Sequence, residues 1–322
     1  MRKFLGGMCF FLLMCLVPVM ALAGTPGVKK RIGILLSGDE ARYQENMSGF
    51  FAMLSANGFP AGDMEIITEN AHGHKARARL LAEGFAVQKM DAYLVLGTNA
   101  AVAMSKEVKE APIIFCPIYD PVAAGLVASL EKPGNNLTGV TNGFSMARVI
   151  EPMKKLFPLK SLAVLYTPGV LNSEAQVKGL ENVAQECGVK IIPVPLASEQ
   201  DAVSTMAFLK GKAEAVYLTG GGVVGASCAV IIRAALKEGL VPVTHLTDYV
   251  GEGALIGIGV NMTEIGRLAA QQMLEVFKGR KPANIPVIGP QNLEVYLNVT
   301  TAKKLGIDVP AEFKKSATRI ME

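Results

Sequence analysis

From Arg31 onward the chain alternates compact apolar runs with amphipathic stretches of helical period, and it does so in two successive series. Short apolar strands separated by helices pair in parallel, because each helix carries the chain back to the edge where the next strand begins. The pattern restricts the chain to an α/β fold of doubly wound parallel sheets. Arg31–Leu36, Met64–Thr68, Ala92–Leu96 and Pro112–Cys116 read as the first strands. Residues 40–57 place Met47, Phe50, Phe51 and Leu54 at three- and four-residue spacing, which predicts a helix stopped by Asn57-Gly58, and 75–89 predict another. Beyond residue 143 the strands are Ser161–Tyr166, Lys190–Val194, Ala215–Thr219, Val241–Leu246 and 254–260, followed by a strong helix from Met262 to Lys278. Gly279–Pro286 is a turn-rich linker, and Asn292–Val299 alternates before a short helix at 300–305. Two series joined near 141–146 predict two lobes with a cleft between them. Such sheets hold ligands beyond the carboxyl ends of their strands, so the loops of interest are 37–43, 97–100, 117–124, 166–174, 219–226 and 246–252.

The start of the chain narrows the function. Arg2 and Lys3 precede an apolar run that is bent by Pro18 and closes on Ala21-Leu22-Ala23. This is the layout of a signal peptide cleaved after residue 23, and it predicts a periplasmic or otherwise extracytoplasmic protein. Residues 4–23 are also nearly long enough to act as an uncleaved anchor. Outside the cytoplasm a protein meets no nicotinamide pool and no genome. With the signal removed, 30 of the 32 basic residues face 28 acidic ones, too small an excess to suggest nucleic acid. Cys116, Cys187 and Cys228 would remain, with no Cys-x-x-Cys pair, and read as buried thiols.

Three local patterns bear on chemistry. Gly220–Gly225 satisfies Gly-x-Gly-x-x-Gly between a strand and a helix, with Asp248 roughly twenty residues on, as a dinucleotide fingerprint requires. The expected absence of a cofactor pool favours a plain cleft wall instead. His72-Gly73-His74 lacks a neighbouring cluster of metal ligands and reads as a surface turn, so no metal is expected. Gly97-Thr98-Asn99 sits where a strand becomes a helix. There Thr98 or Asn99 either caps the helix or, with the free N–H groups, receives an anion.

The segment 111–143 carries the most specific text: Asp120-Pro121-Val122, Ala124–Val127 and Asn136–Val140. With Gly97–Ala101, Gly253-Ala254-Leu255, Glu264–Arg267 and Thr301–Gly306, it resembles the ABC-transporter substrate-binding proteins related to tryptophan and tyrosine binders. The resemblance covers about 30–320 and implies a type I periplasmic-binding fold whose chain crosses between lobes three times. Residues 28–142 plus 253–280 would form lobe one and 143–252 plus 281–322 lobe two, with hinges near 141–145, 250–254 and 279–285. It implies a non-enzymatic, cofactor-free monomer that delivers a small ligand, an aromatic or apolar amino acid, to a membrane ABC permease. A module feeding a signalling receptor is the alternative, and a dinucleotide enzyme built on Gly220–Gly225 a more distant one. For such a zwitterion, Gly97, Thr98 and Asn99 would seat the carboxylate. Asp120 and Asp248, with Asp39 and Glu174 behind them, are candidate ammonium acceptors, although Asp120 before Pro121 equally suits a turn. Tyr43, Tyr119, Phe144, Tyr166 and Tyr249 are candidate stacking partners or packing residues. Ser37, Asn172, Ser173, Thr219 and Gly220 complete the expected cleft contacts, with Ser173 also able to cap a helix.

Overall fold

The computed structural model describes residues 29–322, so the expected signal at 1–23 lies outside the described residues. In the first lobe, β1 (Arg31–Leu36), α1 (Ala41–Ala56), β2 (Glu65–Asn70), α2 (Lys75–Ala86), β3 (Ala92–Leu96), α3 (Thr98–Glu107), β4 (Ile113–Ile118) and β5 (Leu137–Thr141) follow in order. Their strands form a wholly parallel five-stranded sheet, β2-β1-β3-β4-β5. Every residue of β3 and β4 is buried, whereas the edge strand β2 is only half-covered. Helices on both faces remove the alternating pattern of a one-sided sheet, which is why the central strands are continuously apolar.

The second lobe contains α4 (Ala147–Lys154), β6 (Ser161–Tyr166), α5 (Leu171–Cys187), β7 (Lys190–Pro195), α6 (Glu199–Leu209), β8 (Ala215–Leu218), α7 (Gly222–Ala226), α8 (Cys228–Lys237), β9 (Val241–Thr244) and β10 (Ile256–Gly259). The chain then returns to the first lobe as α9 (Met262–Phe277) and comes back as β11 (Glu294–Asn298), α10 (Val299–Lys304), α11 (Ala311–Ser316) and β12 (Arg319–Met321). The resulting seven-stranded sheet, β12-β11-β10-β9-β8-β6-β7, is parallel except where β10 meets β11. This is the expected α/β architecture of two doubly wound lobes of the type I periplasmic-binding kind.

The crossing points differ from expectation. The resemblance places residues 253–280 in lobe one, but β10 lies between β9 and β11 in the seven-stranded sheet, so of this stretch only α9 packs with lobe one. An apolar strand flanked by turns looks the same whichever sheet receives it. The start of 281–322 moves the other way. Val287 N–H donates to the Leu130 carbonyl at 2.7 Å, Thr138 Oγ1 to that of Ile285 at 2.7 Å, and Val140 bridges Ile288, so the chain stays on lobe one until about residue 288. The crossings therefore fall near 142–146, 260–261 and 289–293, and 250–254 is a turn inside lobe two.

The return helix is held at backbone contact. A Cβ on Gly266 of α9 would lie 1.9 Å from the Asn46 carbonyl oxygen of α1, and one on Gly49 would lie 2.0 Å from that of Thr263. Asn46 itself donates from Nδ2 to the Met262 carbonyl at 2.6 Å. Cys116 and Cys187 are buried free thiols as read, while Cys228 is only half-buried.

Candidate ligand-binding cleft

Each sheet reverses its winding at one place, between β1 and β3 in the first lobe and between β6 and β8 in the second. The crevice at such a reversal is left open by the diverging helices. Here the two crevices face one another across a cavity of about 590 Å³, within the range of small-molecule sites. Ser37–Glu40 and Gly97–Asn99 line one side, and Val170, Asn172 and Gly220–Val223 the other. Tyr119 and Asn142, which follow β4 and β5, and His245 and Leu246, which follow β9, also line it.

On the first wall, Gly97 has φ 91°, and a Cβ there would stand 2.4 Å from Tyr43 Oη and 2.6 Å from Ser37 Oγ. Glycine alone admits both the angle and the approach. Ser37 Oγ accepts the Ala100 N–H at 3.0 Å, so the α3 cap comes from a neighbouring strand rather than from Thr98 or Asn99. The N–H groups of Thr98 and Asn99 have no partner among the described residues and open the helix toward the cavity, the arrangement that receives a carboxylate.

Beside them lies a buried ionic group of which the sequence reading singled out Asp248 but neither Arg42 nor Glu40. Arg42, in the first turn of α1, reaches across the lobes to Asp248 at 3.0 and 3.3 Å and approaches Glu40 at 3.5 Å. Burial opposes the guanidinium charge, but Asp248 first, then Tyr249, Tyr43 and Glu40, hold its pKa well above the ordinary value. Burial likewise keeps the Tyr43 and Tyr249 phenols un-ionised. Glu40 Oε2, Asn142 Oδ1 and His245 Nε2 are buried without a hydrogen-bond partner among the described residues, and all three residues line the cavity. Buried polar atoms are normally paired, so unpaired ones on residues that line a cavity point to the contacts a ligand would make.

His245 is stacked on Tyr217, with ring centroids 5.9 Å apart and planes at 10°, and Tyr217 Oη meets its Nδ1 at 2.7 Å. Tyr119 and Phe144 meet it edge-on at 6.1 and 6.4 Å. Burial, and then the charge of Arg42, push its pKa down to about 3, so the imidazole is neutral near pH 7. Burial and then Asp120 raise the Tyr119 phenol to about 12. On the second wall Asn172 Nδ2 donates to the Gly220 carbonyl at 2.9 Å and Gln176 Oε1 accepts the Gly220 N–H at 3.1 Å, fixing the glycine loop.

Of the residues read from sequence, the cavity gathers Ser37, Asp39, Tyr43, Gly97, Thr98, Asn99, Tyr119, Asn172 and Gly220. The others lie elsewhere. Asp120 Oδ1 accepts the Ala123 N–H at 2.9 Å, the turn role, and lines a smaller cavity of about 180 Å³ with Glu174. Asp248 faces Arg42 instead of the cavity. Ser173 Oγ accepts the Thr167 N–H at 3.0 Å and meets Thr219 Oγ1 at 2.5 Å, and Thr219 donates to the Leu165 carbonyl at 2.8 Å, so this pair braces β6 against β8. Phe144 packs on His245, and Tyr166 on the core of lobe two. Tyr249 is buried behind Arg42, whose guanidinium lies 5.6 Å from its ring centre. Asp39 sits at the exposed rim, where His72 Nδ1 at 2.8 Å and Asn70 Nδ2 at 2.7 Å hold it.

The glycine-rich loop is part of the wall, but its helix α7 has five residues before the break at Ser227, and the Val224 N–H already donates to Thr167 Oγ1 at 3.2 Å. A dinucleotide site requires a longer helix with its entry N–H groups free. Among the described residues no group of three or more His, Cys, Asp or Glu side chains is placed to hold a metal ion.

A family profile described as ABC transporter substrate binding protein matches residues 31–321. A tyrosine-binding protein of Clostridioides difficile (strain R20291) is 28% identical over 279 residues, 86% of this chain and 81% of its own. The crystal structure of an ABC domain in complex with L-Trp from Streptococcus pneumoniae superposes with a TM-score of 0.86 at 23% identity, covering 91% of this chain and all of the other. A conserved domain protein of Vibrio cholerae O1 biovar eltor gives the same TM-score at 26% identity and the same coverage.

Proposed function

The chain belongs to the family of ABC transporter substrate-binding proteins, and from that premise we propose that it captures one amino acid with an aromatic side chain between its lobes and delivers it to a membrane permease. The observation that carries the reading is the pairing of unlike seats in one cavity. The free N–H groups of Thr98 and Asn99 suit a carboxylate, while the unpaired acceptors Glu40 Oε2 and Asn142 Oδ1 suit an ammonium group. Glu40 and Asn142 take the place that the sequence reading gave to Asp120 and Asp248.

The family is one of solute binders working outside the cytoplasm, and no described helix is long and apolar enough to cross a membrane. Export by a cleaved signal at 1–23 and a monomeric state belong to this proposal. In it, ligand binding is coupled to closure. The first lobe holds the α-carboxylate, and the second brings Asn172, Gln176 and Gly220–Gly222 over the ligand. A ligand shifts the lobes only to the extent that it binds the closed form better than the open one, and a cavity walled from both lobes has that property.

Thermal unfolding of the protein against amino acids, sugars, purines and NAD tests the reading. A ligand at a hundred times its dissociation constant adds about 2.7 kcal/mol, a clear rise in the midpoint. A selective rise with aromatic amino acids is expected. A rise with sugars or NAD alone, or none with any amino acid, would overturn it.

A further inference from the structure

The α-groups of an amino acid account for the seats at Thr98, Asn99, Glu40 and Asn142 but leave His245 unused. Its Nε2 is buried and without a partner among the described residues, His245 itself lines the cavity, and its ring is enclosed by Tyr217, Tyr119 and Phe144. A neutral ring among aromatic neighbours is a poor seat for a charged group and a good one for a neutral polar group.

The tautomer decides what that group must be. Tyr217 Oη has two neighbours, His245 Nδ1 at 2.7 Å and Met146 Sδ at 3.7 Å. A thioether is a weak acceptor and an imidazole nitrogen a strong one, so the phenol donates to Nδ1. The imidazole proton then resides on Nε2, and the cavity receives a fixed donor. A phenolic or other hydroxyl accepts from it, whereas an indole N–H only donates and a phenyl ring offers nothing.

Resting on the amino-acid reading above, we infer that His245 selects the ligand's side chain by donating Nε2–H to a neutral acceptor, so that a hydroxylated aromatic amino acid is preferred over phenyl or indole side chains. A site built around a buried hydrogen bond rejects the analogue that lacks the group, because the protein's own polar atom is then left unpaired.

Calorimetric titration of L-tyrosine, L-phenylalanine and L-tryptophan into the wild type, His245→Phe and Tyr217→Phe tests the assignment. The wild type is expected to bind L-tyrosine at least about tenfold more tightly than either analogue. His245→Phe keeps a ring against Tyr217 without the donor. It should weaken L-tyrosine by about tenfold and leave L-phenylalanine within about threefold, bringing their ratio near one. Tyr217→Phe frees the tautomer without touching His245, so the preference for L-tyrosine over L-tryptophan should narrow. This second variant decides the matter if His245→Phe does not fold.

A wild type that binds all three equally, or a tyrosine preference unchanged in a folded variant of either kind, would overturn the role of His245 while sparing the amino-acid reading. A wild type that binds none of the three overturns both.

Discussion

His245 shows how a residue's meaning depends on its neighbours. In the sequence it is an isolated histidine at a strand end. In the fold it is buried, neutral and paired with Tyr217, a residue 28 positions earlier on the adjoining strand. Its burial has a consequence for stability. The ordinary pKa of 6.5 applies in the unfolded chain, while burial and then Arg42 lower the folded value to about 3. As pH falls through this window the unfolded state takes up the proton first. The contribution of His245 is therefore complete above pH 6.5 and is lost progressively toward pH 3, by about 1.4 kcal/mol per unit. Acidification also acts elsewhere. Asp39, whose pKa is lowered chiefly by its hydrogen bond to His72, loses that stabilisation below the ordinary carboxylate range. Comparison with His245→Phe cancels such common effects. Urea denaturation at pH 7.5 and pH 5 should show the wild type losing about 2 kcal/mol more than the variant. Equal losses would mean that His245 is not held neutral in the fold. At this scale the cleft was legible only in part. Gly97–Asn99 could be read because a glycine before a polar helix start has few structural meanings. Arg42 and Glu40 could not, because a charged pair in the first turn of an amphipathic helix looks like an ordinary solvated start. Asn142 was hidden because Asn136–Val140 was read as a motif and not as part of the strand, Leu137–Thr141, that precedes it.

At the scale of elements, most strands were legible because burial on both faces writes a continuous apolar run. The failures have a common cause, which is that periodicity reports a partner's presence and not its identity. The run ending in Ile256–Gly259 is as apolar as a lobe-one strand would be, yet it pairs with β9 and β11. The stretch after Gly222 reads as one helix but breaks at Ser227, whose hydroxyl reaches Glu199 Oε2 at 3.2 Å. The register of α9 against α1 is likewise invisible in sequence, although it positions Arg42 and Glu40 relative to the cavity. Gly266→Ala tests that register. Its Cβ would meet backbone, the Asn46 carbonyl at 1.9 Å, so the helices must separate; overpacking of this kind costs about 1–3 kcal/mol. Higher intrinsic helix propensity favours alanine by about 1 kcal/mol, so a net loss of stability in denaturant melts identifies the contact as the larger effect. No loss would mean that the helices adjust freely.

For the whole molecule, two lobes and a cleft follow from counting two βα series, but the state of the cleft depends on contacts between residues far apart in sequence. Two basic side chains make contacts of this kind between the lobes. Arg42 on α1 holds Asp248 in the turn after β9, and Lys75 at the start of α2 donates to the Gly169 carbonyl beyond β6. The lysine contact is exposed and belongs to the class worth little. The arginine contact is buried on one side and about one-fifth exposed on the other, so its loss is felt. Asp248→Asn preserves shape and removes the charge, leaving Arg42 only the more distant Glu40. Removing one partner of a fully buried pair costs about 3–5 kcal/mol, and the partial exposure of Asp248 places this case at about 1–3. Because the partners sit on different lobes, part of that cost can be relieved by opening, which lets water reach the guanidinium. Two measurements separate this from simple destabilisation. Small-angle scattering of the ligand-free variant should give a larger radius of gyration than the wild type, and ligand affinity should fall because binding must now pull the lobes together from a more open average. Saturating ligand should restore the wild-type radius. A variant that is less stable in urea but unchanged in both radius and affinity would show that the pair supports the fold without governing closure.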